Sequence, residues 1–191
     1  MTDQNQTVQN QTVNLRQAVY DFIKKYAAPV VAEENIIWGN QNDITLPVSD
    51  DYIIFSPLQA IRHGTGEENY NPVTETITLV ETIEVPVQID CYANSESGSD
   101  GMDAFKRAQA LETVSRSILG TRHFKERNLG LLYAENVRNS TFNDEDLRLH
   151  SRWTVTIHLS VRSVIQTTQD FFNAVDFRLV ECDTHFKPQN D

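Results

Sequence analysis

From Ile77 to Cys91 apolar and polar residues alternate. Odd positions read Ile, Leu, Glu, Ile, Val, Val, Ile, Cys, and even positions read Thr, Val, Thr, Glu, Pro, Gln, Asp. A period of two places each set on one face of a sheet, so this stretch predicts a long half-buried strand, with irregularities near Glu81 and Pro86. A second run matches it: Trp153, Val155, Ile157, Leu159 and Val161 alternate with Arg152, Thr154, Thr156, His158, Ser160 and Arg162. A strand the length of 77–91 spans about 50 Å, well beyond the usual five or six residues. Strands this long project from a body or carry a sheet into a partner.

The other elements are shorter. Leu15, Val19, Phe22, Ile23 and Tyr26 recur at spacings of three and four, predicting an amphipathic helix in 15–31, capped by Asn14 and ended by Pro29. Residues 34–51 read as loop, with Ile36, Ile37 and Trp38 folding back on the core. A strand is expected over 52–62, with Pro57 marking an edge or bulge, then a flexible turn region over 63–72. Residues 102–119 form a helix whose stripe is Ala104, Ala108, Leu111, Ser115 and Ile118; residues 121–139 give a short basic helix and a strand; residues 173–183 give a last strand. Consecutive alternating β-runs with few helices predict an α+β fold: a mixed, mainly antiparallel sheet with long strands and helices packed on one face. QNQTV occurs twice, at 4–8 and 9–13, and lacks the apolar area to pack alone. Residues 1–14 therefore read as an arm, either flexible or ordered by a neighbouring subunit, and 15–191 as a single domain.

Charge narrows the function classes. The 191 residues hold 27 acidic and 16 basic side chains, a net −11. Such a surface repels phosphate backbones and argues against sequence-reading of DNA. No run of about 18 apolar residues suggests a membrane helix, and the polar N-terminus has no secretory h-region. Cys91 and Cys182 fall in expected strands and read as ordinary buried thiols.

The segment SESGSDG (95–101), between a strand and a helix, is the sharpest chemical candidate. Ser97, Gly98, Ser99, Asp100 and Gly101 stand in the G-x-S-x-G frame, and Asp and His residues follow. A nucleophile elbow needs a sharp turn directly off a buried parallel strand, yet Asn94 to Gly98 intervene here. A phosphate loop lacks its Gly-Lys-[Ser/Thr], and Glu96, Asp100 and Asp103 put negative charge where phosphate would sit. Calcium at those three acids lacks the dense spacing of a dedicated loop. The simpler reading is a connection in which Ser99 or Asp100 caps the helix and Asp103 favours its first turn. The histidines (63, 123, 150, 158, 185) form no i,i+4 pair. His158 reads as a surface or interface residue, and Glu84 and Asp90 as solvated carboxylates sharing a strand face. No cofactor or metal site is expected, nor an enzyme.

The order of these elements carries a resemblance. The helix LRQAVYDFIKKY, the block ENIIWGNQNDITLPVSDDYIIFSPL, the strand ending VQIDCYA, the Ser/Gly/Asp loop opening an Ala-rich helix, the segment GLLYAENVRN and the strand RLHSRWTVTIHLSV together resemble the tail or neck terminator proteins of tailed bacteriophages, over about residues 15–182. The resemblance implies a virion protein, assembled in the host cytoplasm, that forms a homohexameric ring on the head-proximal end of the tail tube. The ring would stop tube polymerisation, dock to the head connector and pass the genome without binding it specifically. On that footing Glu96, Asp100, Asp103, Glu67 and Glu68 are candidate interface or channel residues, and Arg152, His158 and Arg162 candidate inter-subunit strand positions. Competing readings are another phage ring protein (a head-completion connector or tail tube subunit), a small serine hydrolase using Ser99, and a monomeric binding module.

Overall fold

The computed structural model describes residues 9–10, 14–40, 47, 51–94, 102–143 and 149–168. Its elements are β1 (Gln9–Asn10), α1 (Leu15–Tyr26), a 3-10 turn at Glu33–Asn35, β2 (Ile36–Trp38), β3 (Tyr52–Pro57), β4 (Ile61–Arg62), β5 (Glu67–Asn71), β6 (Thr76–Asn94), α2 (Asp103–Ser115), α3 (Ile118–Lys125), β7 (Leu129–Ala134), β8 (Arg138–Asn139), β9 (Phe142–Asn143) and β10 (Leu149–Thr168). The fold is α+β, with a mixed, mostly antiparallel sheet. The only parallel pairing among the described strands is β2 with β3.

The frame is a ribbon of β6 and β10. The two pair antiparallel in unbroken register from His150 opposite Asn94 to Thr168 opposite Thr76. At 19 residues, β6 is about 60 Å long. The irregularities expected at Glu81 and Pro86 are absent from this ladder. Pro86 lacks an N–H, but its carbonyl accepts Leu58 N at 2.8 Å on the side away from β10. In an antiparallel strand a residue's N and O point to the same side. The missing donor therefore falls just past the end of β3 and costs the β6–β10 ladder nothing.

Other strands flank the ribbon in two groups. Toward residues 84–94 of β6 lie β3 and then β2, with β7, β8 and β9 on the outer side of β10. Toward residues 76–84 lie β4 and β5 on β6, and β1 on β10. The segment 63–72 is therefore more than a turn: Glu67–Asn71 form a strand along Val80–Thr76. The strand expected over 52–62 is broken after Pro57 into β3 and β4. Part of the QNQTV repeat pairs within its own chain, Gln9 with Gln166 and Asn10 with Ile165. The strand expected over 173–183 lies outside the described residues.

The helices cover the odd-numbered face of one half of the ribbon. Val87, Ile89, Cys91, Val155, Ile157 and Leu159 are fully buried there with Ile53 and Phe55 of β3, under Phe22 and Ile23 of α1, Ala104, Ala108 and Leu111 of α2, and Phe124 of α3. Burial pushes the Cys91 thiol up to about 12. Asn14 caps α1 as expected, Oδ1 accepting Gln17 N at 2.9 Å. The helix ends at Tyr26, short of Pro29: Ala28, the residue before the proline, is disfavoured in the α region, and Ala27 is already extended. The helix expected over 102–119 is two. At the break Ser117 caps α3, its Oγ accepting Leu119 N at 3.2 Å and donating to the Val114 carbonyl at 2.7 Å. Gly120 lets α3 tuck against the end of α2, since a Cβ there would stand 2.5 Å from the Val114 carbonyl oxygen. The expected caps of α2, Ser99 and Asp100, lie outside the described residues. The helix starts after Met102 with no side-chain cap, and Asp103 sits in its first turn, 3.5 Å from Lys106.

Arg107 of α2 ties these layers together. It is 2% exposed. Its guanidinium donates to the carbonyls of Pro29 and Tyr92 at 3.1 Å and, through two nitrogens, to both Asp51 oxygens at 3.3 Å. A planar five-donor fork suits such a junction, where a compact ammonium would not.

Candidate functional site on the polar face of the ribbon

Among the described residues the even-numbered face of the ribbon carries no helix, yet Glu84, Asp90, Thr154, Thr156 and His158 on it are buried. They cover each other. Asp90 is the first centre. Thr154, directly across the ladder, donates Oγ1–H to it at 2.5 Å, Arg152 donates at 2.8 Å and Gln88 at 2.7 Å. Burial works against the Arg152 charge, but the Asp90 hydrogen bond and field outweigh it and hold the guanidinium above its usual pKa. Arg152 also lies 5.6 Å from the ring centroid of Tyr92, whose other face stacks on Tyr52 at 4.4 Å. Burial raises the Tyr92 hydroxyl to about 12.

Glu84 is the second centre, placed where the helix-covered half of the ribbon ends. One oxygen meets His158 Nδ1 at 2.6 Å and the other meets His63 Nε2, from the loop after β4, at 2.5 Å. The hydrogen bonds to His158 and then His63 hold the Glu84 carboxyl below the ordinary carboxylate range. His158 Nε2 meets Glu135 at 3.3 Å, and the Tyr133 ring stacks on His158 at 4.0 Å. The Tyr133 hydroxyl donates to Glu84 at 3.4 Å, and partial burial with the nearby carboxylate raises its pKa. Tyr133 reaches this spot through a register shift of β7: His158 pairs with Tyr133 but Leu159 with Leu131, leaving Leu132 as an extra residue.

These contacts correct two sequence readings. Glu84 and Asp90 are not solvated, at 6% and 7% exposure, and His158 is not a surface residue, at 6%. Single-strand spacing could not reveal this, because the burying groups come from β3, β7 and the loop after β4. The signal for Arg107 was present: an arginine one turn from Ala104 and Leu111, on the apolar stripe of α2. The expected site residues are scattered. Glu67 and Glu68 sit exposed on β5, Arg152 is half-buried on Asp90, and Arg162 is exposed on β10. Asp103 stands at the start of α2, while Glu96, Ser99 and Asp100 lie outside the described residues. In the Glu84 centre the histidines and carboxylates point at each other, and in the Asp90 centre the carboxylate is taken up by Thr154, Arg152 and Gln88. Among the described residues no hydroxyl donates to His158 or His63. The arrangement cross-links strands.

Two surfaces remain open. The α3–β7 edge exposes Ile118 (69%), Leu119 (48%), Leu132 (49%) and Tyr133 (51%). Ile118, Leu132 and Tyr133 rim a groove of about 570 Å³ that Arg116 and Leu131 also line. The far half of the ribbon exposes Ile77, Leu79, Ile83 and Ile165 partially, beside a groove of about 420 Å³ lined by Arg62, Glu67, Glu68 and Glu81.

The polar groups of this sheet are used internally, and the surfaces left open among the described residues are edges and an extension of it. Residues 14–182 match the phage neck terminator protein family, and the chain belongs to that family. It is a structural component of the phage neck, where it contacts other virion proteins. No curated protein matches the chain.

Proposed function

We propose that the chain closes into a homohexameric ring that caps the head-proximal end of the tail tube, stops tube polymerisation and joins the tail to the head connector. Family membership carries this reading. The physical support is the far half of the ribbon, an arm whose apolar residues are only half covered among the described residues. A head-to-tail contact made by such an arm closes into a ring when its rotation permits. The genome passes through without specific binding, since the net charge of −11 gives phosphate little to hold. Glu96, Asp100 and Asp103 face that channel or a partner, and Glu67 and Glu68 an interface. In this reading Arg162, exposed on β10, meets a neighbouring subunit, while Arg152 and His158 serve that strand by fixing it on Asp90 and Glu84. Residues 15–191 act as one domain.

Light scattering across a concentration range, with negative-stain imaging, tests the reading. Closed rings of about six subunits with a central hole are expected. Long self-assembled tubes would identify a tube subunit instead, and a monomer at every concentration and on purified tail tubes would overturn the ring. Replacing Ser99 with alanine is expected to leave assembly and infectivity unchanged; a loss of a hydrolytic activity would revive the hydrolase.

A further inference from the structure

We propose that the ring interface is formed by the acidic arm of one copy seated on the basic α3–β7 edge of the next. The inference rests on the ring reading and names its surfaces.

Three observations converge on a second copy as the occupant. The first is apolar exposure at both places. Ile118 and Leu132 stand out at the α3–β7 edge, and Leu79 and Ile165 are half-covered on the arm. Contiguous exposed apolar surface rimmed by polar groups marks an interaction site.

The second is charge. The chain is acidic overall, yet Arg122 and Lys125 on α3 and Arg138 on β8 are exposed and form no ion pair among the described residues. Arg122 and Lys125 stand one and two turns after Ile118, on the same side of the helix. On the arm, Glu67 and Glu68 of β5 and Glu75 at the tip are exposed and likewise unpaired among the described residues. Glu126 at the end of α3 and Arg162 on the arm are exposed too, so the contrast is one of excess: three unpaired cations on the edge and three unpaired acids on the extension, in a protein of net charge −11, are the two halves of a complementary contact.

The third is placement. Across the sheet, β5 lies outside β6, and β7 and β8 lie outside β10. The two surfaces are thus on opposite edges of one sheet and cannot meet within one chain. A neighbour displaced along the direction of strand order brings its acidic edge to this chain's basic edge. That contact is heterologous, the type that generates rings. The outer side of β7 also pairs with no described strand, so apart from the Ala134 carbonyl, which accepts Arg116 at 3.1 Å, its ladder positions are open to an incoming arm.

The test is a charge swap. Glu67→Lys with Glu68→Lys reverses the arm, and Arg122→Glu with Arg138→Glu reverses the edge. All four side chains are exposed, so the monomers are expected to keep the wild-type urea midpoint. By light scattering and native mass spectrometry each reversed protein alone loses the ring, its self-association weakened tenfold or more (about that for opposed like charges). Mixed in equal amounts, the two restore rings of alternating subunits, because a reversed arm meets a reversed edge and a native arm a native edge. Rings that persist in either variant alone overturn these surfaces and leave the ring intact. Reversed proteins that do not reassemble on mixing overturn the pairing of arm with edge. A wild-type chain that is monomeric throughout overturns the ring and this interface together.

Discussion

The two halves of the β6–β10 ribbon share one sequence rhythm and differ in what lies on it. In the helix-covered half, Val87, Ile89, Val155, Ile157 and Leu159 alternate with polar residues and are completely buried. In the arm, Ile77, Leu79, Ile83 and Ile165 alternate in the same way, in the same ladder, and are only half-covered by flanking strands. Alternation specifies a strand with an apolar face. It does not specify whose atoms cover that face. In the body they are α1, α2 and α3 of the same chain, and on the arm the described residues leave the face half bare, which is the face the proposed ring contact would use.

The largest effect that separates the halves is cavity formation. Ile157→Ala deletes a side chain with no exposure, packed between β6 and the helices. It is expected to cost about 2–5 kcal/mol. Ile165→Ala, at a half-exposed arm position, removes less contact and is expected to cost below about 1.5 kcal/mol in the monomer. Urea midpoints of the two proteins, measured where the chain is monomeric, give the comparison. Equal losses would mean that the arm is as well packed as the body, and the contrast would collapse. A small monomer loss at Ile165 that grows under assembling conditions would sharpen it.

The same contrast shows what the sequence carried. The long strands and the odd-face core were legible because period two survives in both, from Ile77 to Cys91 and from Trp153 to Val161. The family was legible because its blocks run along nearly the whole chain. β5 was not, because Glu67, Glu68 and Asn69 have no apolar rhythm; their strand is templated by the exposed edge of β6. Pro86 read as a defect because sequence does not say on which side of the strand its missing donor falls. The buried polar face was illegible for a related reason. Glu84 meets His158, 74 positions away, and His63, 21 positions away, so no local spacing encodes the cluster.

A smaller effect tests the joint between the halves. Glu84 holds β10 through His158 and the loop after β4 through His63, and its carboxyl is depressed in the folded chain. A depressed acid contributes stability that is fully present above its unfolded pKa and is lost as pH falls through the folded value. Acid titration of the wild-type urea midpoint is therefore expected to show a fall at and below the ordinary carboxylate range. Glu84→Gln keeps the shape, removes this group's proton linkage and is expected to flatten that part of the curve. Amide exchange should show the loss of protection centred on Gly64–Glu68 and Ser160–Arg162, where body and arm meet. A curve of unchanged shape in Glu84→Gln would show that other carboxylates dominate the acid limb and that the joint is held by packing alone.

The smallest effect lies in two turns, one in each half, that place a residue other than glycine at positive φ. Glu75 closes β5 onto β6 at the arm tip with φ +50°, and Asn128 joins α3 to β7 in the body with φ +58°. The left-handed region crowds Cβ against the following carbonyl at a cost of about 1–2 kcal/mol for ordinary residues, and asparagine tolerates it better. Glu75→Gly relieves that crowding and Asn128→Ala adds to it, so shifts of opposite sign and at most about 1 kcal/mol are expected. Their reach should differ. Asn128 follows the α3 end that holds Phe124 in the core, so Asn128→Ala should move the global urea midpoint. Glu75 sits at a tip that the body does not touch, so Glu75→Gly should raise amide protection in Glu67–Leu79 and leave the midpoint nearly still. If the tip substitution moved the midpoint as far as the body substitution did, the arm would be unfolding with the body in one cooperative step, and its bare face would have to be explained without local independence.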